Sequence, residues 1–89
     1  MPEPDIDTRR RRARFRSWHR GTREADLVLG PFADEAIGTL TDTELAQYEA
    51  LLEAPDVEIL KWITGEAPVP AAFDTALLTK IIARFRATN

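Results

Sequence analysis

The sequence predicts an all-α protein, a compact five-helix bundle forming a single domain. Three observations carry this expectation. Apolar residues recur at three- and four-residue spacing along most of the chain, and no stretch alternates like a strand. Helix-stopping residues stand at Gly21, Pro55 and Gly65. Thr41-Asp42-Thr43-Glu44 has the form of a capping box, with a hydroxyl at the N-cap and a glutamate at the third helical position. With 89 residues there is room for one domain. Short connectors imply that consecutive helices pack antiparallel or cross at corners.

Residues 1–8, with two prolines and three acids, read as a flexible tail, leaving 9–89 as the domain. The first helix is expected over 9–19, with Phe15 and Trp18 as a narrow apolar face and Gly21 as its stop. The second is expected over 22–37, where Ala25, Val28, Leu29, Phe32, Ala36 and Ile37 form one stripe. Gly30-Pro31 interrupts that stripe, and a proline clashes with the carbonyl four residues back, so a kink near Leu27–Pro31 or a full break is expected. The capping box starts a third helix over 42–53, with Leu45, Tyr48, Leu51 and Leu52 inward. A fourth, over 56–64, turns Ile59, Trp62 and Ile63 into the core and ends at Gly65. Pro68-Val69-Pro70 is a stiff connector. Asp74 is the expected cap of a fifth helix over 74–87, whose Leu77, Leu78, Ile81, Ile82 and Phe85 make the cleanest stripe of the chain.

Composition excludes several functions. Without cysteine there is neither a disulfide framework nor a thiolate metal site, and His19 is the only histidine. No run approaches a membrane span, and the start has neither an apolar signal core nor the acid-poor character of a transit peptide. A soluble, cytoplasmic protein without membrane insertion is the expectation. His19 could serve as a general base, but no serine or cysteine nucleophile stands out beside it, so independent catalysis is not expected.

Charge is sharply segregated. Residues 9–23 hold eight arginines and no acid, whereas residues 24–74 hold twelve acids against Lys61 alone. The arginines could neutralise phosphates, with Trp18 available for stacking. The acidic remainder would repel a polyanion, so a protein partner is the better reading and a nucleic-acid-binding or regulatory module the alternative. The two charge regimes meet at Arg20-Gly21-Thr22-Arg23-Glu24-Ala25-Asp26. A purely structural reading of this corner exists: a cation in a last helical turn and an anion in a first turn each favour the helix dipoles by about 0.3–1 kcal/mol. In the docking reading, Arg20 and Glu24 lie at the surface, and Gly21 takes a positive φ or approaches a neighbouring backbone too closely for a Cβ.

Ser17-Trp18-His19-Arg20-Gly21-Thr22-Arg23-Glu24-Ala25-Asp26-Leu27-Val28-Leu29-Gly30-Pro31-Phe32 resembles the signature of the succinate dehydrogenase FAD assembly factor family. The resemblance continues through Leu40-Thr41-Asp42-x-Glu44-Leu45, Leu51-Leu52-Glu53-x-Pro55-Asp56 and Leu60-x-Trp62-Ile63-x-Gly65. It implies a five-helix chaperone rather than a free-standing enzyme. Such a chaperone binds the flavoprotein subunit of succinate dehydrogenase, and in bacteria that of fumarate reductase, and promotes covalent attachment of FAD. The flavin would be carried by the partner and not held stably by the chaperone. The family's R-G-x-x-E motif falls on Arg20, Gly21 and Glu24, with His19, Arg23 and Asp26 beside it as further candidate docking residues. His19 stands where many members have a second arginine, and Ala25 where a larger apolar residue is common.

Overall fold

Asp5 opens the first helix earlier than the arginine tract alone suggests. The structure, a computed structural model, describes residues 5–88. Helix α1 spans Ile6–Trp18, and the Asp5 carboxylate accepts the Thr8 amide at 2.8 Å as its N-cap. The flexible tail expected over 1–8 is therefore corrected for Asp5 to Thr8, which form the cap and first turn; residues 1–4 lie outside the described residues. An otherwise unpaired first-turn amide is satisfied by the carboxylate, and Ile6 packs on the core.

Helix α2, Arg23–Ala36, is capped by Thr22, whose hydroxyl accepts the Ala25 amide at 3.3 Å. The helix runs unbroken through Pro31, so the full break does not occur. Pro31 supplies no donor to Leu27, whose side chain is exposed. A short 3₁₀ turn, Ile37–Thr39, leads to Leu40, which is buried. Helix α3, Asp42–Leu52, starts with the expected capping box, both of its reciprocal bonds being present. Helix α4, Asp56–Thr64, ends at Gly65, which has φ 85° and is the only residue with positive φ among those described. Another 3₁₀ turn, Ala71–Phe73, precedes helix α5, Ala76–Thr88. Thr75, not Asp74, caps α5: its hydroxyl accepts the Leu78 amide at 3.2 Å. The Asp74 carboxylate lies outside the helix, because the 3₁₀ turn consumes the residues before Thr75.

The core lies where α2, α3, α4 and α5 meet, with α1 laid across α2 and α3. Leu29, Leu45, Tyr48, Ile59 and Leu77 are fully buried. Trp62 and Ile63 are buried as the periodicity requires, and Phe73 stacks on Trp62 with ring centroids 5.0 Å apart. Helix α1 departs from expectation. Its buried residues are Ala13 and Ser17, while Phe15 is exposed and Trp18 only partly buried. The small side chains let the two helices approach. Trp18 then lies over Gly30 of α2, where any Cβ would overlap its indole, coming within 2.6 Å of Cε3. The indole Nε1–H donates to Asp34 at 3.2 Å.

Ser17 and Tyr48 supply the buried polar link between α1 and α3. The Ser17 hydroxyl donates to the Ala13 carbonyl at 2.7 Å, leaving its oxygen to receive the Tyr48 hydroxyl. Burial pushes the Tyr48 phenol up to about 12. Folding thus favours the neutral phenol. The stability this confers is fully present below the ordinary tyrosine value and is lost as pH rises towards about 12.

Two outcomes follow. Tyr48 is the only tyrosine, so an alkaline titration read by tyrosinate absorbance reports it alone. Ionisation is expected to coincide with loss of helical circular dichroism; a phenol that titrates near 10 in the folded protein contradicts its burial. Gly30→Ala is expected to destabilise by about 1–3 kcal/mol through overpacking against Trp18. Chemical denaturation measures the cost, and an unchanged midpoint would show that the indole has room to move.

Candidate docking site

Residues 19–22 turn the chain from α1 into α2, and Arg20 fixes that turn to the rest of the molecule. Its guanidinium reaches the junction between α3 and α4. Nε donates to Asp56 Oδ1 at 2.7 Å, Nη1 to the Leu52 carbonyl at 2.8 Å and Nη2 to the Ala54 carbonyl at 3.0 Å. The Leu52 carbonyl ends α3, where helical acceptors have lost their amide partners and the dipole is negative, and the Ala54 carbonyl lies in the connector just past the Glu53 cap. Asp56 stands in the first turn of α4, where the dipole favours an anion. One cation thus satisfies three acceptors that have few other partners.

The backbone of the same turn is held on both sides. The Arg20 amide donates to Asp26 Oδ1 at 2.7 Å, and the Gly21 amide donates to Asp56 Oδ2 at 2.9 Å. Asp56 therefore accepts from a side chain and from the backbone of the corner. The Arg20 and Asp56 side chains are only 10% and 14% exposed, so the pair is largely covered by its neighbours.

Two expectations are corrected here. Arg20 is not a surface residue; it is an internal clamp. Gly21 has no positive φ and no forbidding neighbour, since an added Cβ would meet Asp56 Oδ2 at an ordinary 3.6 Å. The close approach that only glycine permits occurs at Gly30 instead. Asp26 is also structural, held by the Arg20 amide.

The remaining candidates face outward. Glu24 and Arg23 occupy the first turn of α2, are exposed, and have no side-chain hydrogen bond or ion pair among the described residues. His19 is exposed; its Nδ1 lies 2.7 Å from the Phe15 carbonyl and its ring stacks on Phe15 at 3.9 Å. Gly21 is exposed beside them. The six candidates thus divide into a scaffold of Arg20 and Asp26 and a displayed edge of His19, Gly21, Arg23 and Glu24. Asp56 is the structural residue that reasoning from sequence missed. It stood in a quoted segment of the resemblance, Pro55-Asp56, but spacing in sequence gives no sign of a partner on a distant corner.

The arginine tract is mostly engaged as well, in ion pairs that lie across the surface. Arg9 binds Glu49 and Asp42, Arg14 binds Asp34 at 2.7 Å, and Arg16 binds Glu53 at 3.0 Å. Arg10 donates to the Leu40 carbonyl at 3.1 Å. Arg11 and Arg12 stay on the outer face without an ion pair among the described residues. No described helix is long and apolar enough to cross a membrane.

A family model described as "Flavinator of succinate dehydrogenase" matches residues 11–86. The chain is 39% identical over 82 residues to the FAD assembly factor SdhE of Acetobacter pasteurianus, which covers 92% of this chain and 75% of that protein. It is 40% identical over 74 residues to a mitochondrial succinate dehydrogenase assembly factor 2 of Dictyostelium discoideum, covering 83% of this chain and 52% of the relative. A Drosophila ananassae counterpart, mitochondrial succinate dehydrogenase assembly factor 2-A, is 33% identical over 79 residues, with 86% and 51% covered. The chain thus spans about half the length of these mitochondrial relatives. With its family model matched over nearly the whole chain, and with all-helical architecture and the Arg20-Gly21-x-x-Glu24 corner in place, the chain belongs to the flavinators of succinate dehydrogenase.

Proposed function

We propose that this protein is an assembly chaperone. It binds the flavoprotein subunit of succinate dehydrogenase, and also the related subunit of fumarate reductase, and promotes covalent attachment of FAD there. The observation that carries the reading is the division of the corner. Arg20, Asp26 and Asp56 spend their hydrogen bonds inside the protein, so that Glu24, Arg23, Gly21 and His19 are displayed on a fixed frame. Groups held by packed neighbours reach a partner with little ordering cost.

The chain works without a catalytic residue in this reading. The flavin and the histidine it joins both belong to the partner, and the bond forms between them. What a chaperone can add is orientation, which accounts for a large part of many barriers when two reactants are held in line. Arg23 can address a partner carboxylate through a forked pair of hydrogen bonds, and Glu24 can accept from a donor on the same partner. No flavin is held stably by the chaperone. The work takes place in the cytoplasm in this reading.

The nucleic-acid alternative loses support from the ion pairs. Five of the eight clustered arginines are engaged within the protein, by carboxylates or by backbone carbonyls, which leaves few to neutralise phosphates.

Two substitutions separate frame from edge. Glu24→Ala is expected to leave the melting temperature nearly unchanged, costing at most about 1 kcal/mol of first-turn dipole energy. It should sharply reduce covalent flavin on the client, read as in-gel flavin fluorescence of the flavoprotein subunit. Arg20→Ala is expected to act differently, because it leaves two carbonyls without a donor and Asp56 with the Gly21 amide alone; loss of one partner of a fully buried pair costs roughly 3–5 kcal/mol, and this partly buried pair somewhat less. Its melting temperature should fall markedly. Normal flavinylation by Glu24→Ala would falsify the role given to the displayed acid.

A further inference from the structure

Three large apolar side chains remain exposed among the described residues: Phe15 at 63%, Leu27 at 56% and Val57 at 57%. Single exposed apolar residues are ordinary on a protein surface. These three are not scattered. Phe15 stacks on His19, its ring tilted 14° from the imidazole plane. Leu27 follows Glu24 by three residues and Arg23 by four, which puts all three on one side of α2. Val57 follows Asp56, the residue that accepts the Gly21 amide. Each thus lies within about one helical turn of the displayed corner.

None of the three serves the fold. Phe15 stands opposite Ala13 and Ser17, the buried residues of α1. Leu27 stands opposite Ala25 and Leu29 of α2. Phe15 and Leu27 each border a groove. Phe15, with Arg11 and Arg12, edges one of about 390 Å³. Leu27, with Val28 and Phe85, edges another of about 220 Å³. The polar groups beside Phe15 are cationic, Arg11 and Arg12; Arg23 and Glu24 stand beside Leu27, and Asp56 and Glu58 flank Val57.

We propose that Phe15, Leu27 and Val57 are the apolar anchors of the docking surface, with Arg11, Arg12 and Arg23 as its cationic rim. The inference rests on the reading above that a flavoprotein subunit is the client. It specifies what that subunit must present: apolar recesses bordered by carboxylates. Affinity in such surfaces concentrates in a few desolvated large side chains, while rim charges chiefly set the rate of encounter. The short R-G-x-x-E motif then supplies orientation, and the apolar anchors supply most of the grip.

Binding of the purified flavoprotein subunit to the full chain tests this, by calorimetry and by association and dissociation kinetics. Phe15→Ala, Leu27→Ala and Val57→Ala are compared with wild type and with Thr43→Ala, an exposed residue on the α3–α5 groove. Alanine preserves helix propensity, and all three sites are exposed, so melting temperatures should stay near wild type. Phe15→Ala and Leu27→Ala are each expected to weaken binding roughly tenfold or more, mainly through faster dissociation, with Val57→Ala weaker in effect and Thr43→Ala silent. The paired change Arg11→Ala and Arg12→Ala should instead slow association and flatten its salt dependence. Wild-type affinity in all three apolar variants, with wild type itself binding, overturns the anchors and leaves the client reading standing. Failure of the wild-type chain to bind the subunit overturns that reading, and the anchors with it.

Discussion

The salt bridge between Arg20 and Asp56 is the constraint on which the rest of the corner depends. It joins the end of α1 to the start of α4 and, through two carbonyls, to the end of α3. Four chain segments meet there once the Asp26 contact is included. A largely covered ion pair is weak evidence for net stability by itself, because removing charge from water is costly. Here the remaining hydrogen-bonding capacity is nearly filled, by carbonyls on one side and a backbone amide on the other. Its value lies in specificity of arrangement: no apolar pair of the same size could fix the Gly21 backbone against α4.

The same logic extends along α1. A helix with arginines on most sides has little apolar surface to bury, and α1 buries only Ala13 and Ser17. It is held instead by charge reaching sideways, to α2 through Arg14 and to α3 through Arg9 and Arg16. Exposed pairs of this kind contribute about 0–1 kcal/mol each. Their number and their spread over two neighbouring helices set the register of α1. Trp18 supplements them, because its ring fills the space that Gly30 leaves open.

How much of this was legible in the sequence depends on the range of the interaction. Helix existence and the inward faces of α2 to α5 follow from local periodicity, and Leu45, Tyr48, Ile59, Trp62 and Leu77 are buried accordingly. The capping box and the stop at Gly65 are also local, and both were readable. Contacts between distant residues were not. Arg20 appeared to be a surface cation because nothing in its neighbourhood announces Asp56. Gly21 and Gly30 exchanged roles for the same reason: a glycine's purpose depends on what approaches it, and Trp18 comes from another helix. At the start of α5 the expected cap Asp74 is replaced by Thr75, because the preceding 3₁₀ turn places Asp74 outside the helix.

The clamp also has a consequence for the order of events during synthesis. Arg20 and Asp56 are 36 residues apart, and Arg9 lies 40 residues before Glu49. Translation proceeds from the N-terminus at roughly 5–20 residues per second, so the arginines emerge seconds before most of their acids. During that interval the nascent chain is a cationic segment with almost no apolar face of its own, tethered to a ribosome whose surface is rich in phosphate. Docking of α1 on α2, through Trp18 and Arg14, needs only α2, whereas the Arg20 clamp must await the end of α3 and the start of α4. The corner that carries the family signature therefore gains its clamp only after Asp56 has emerged.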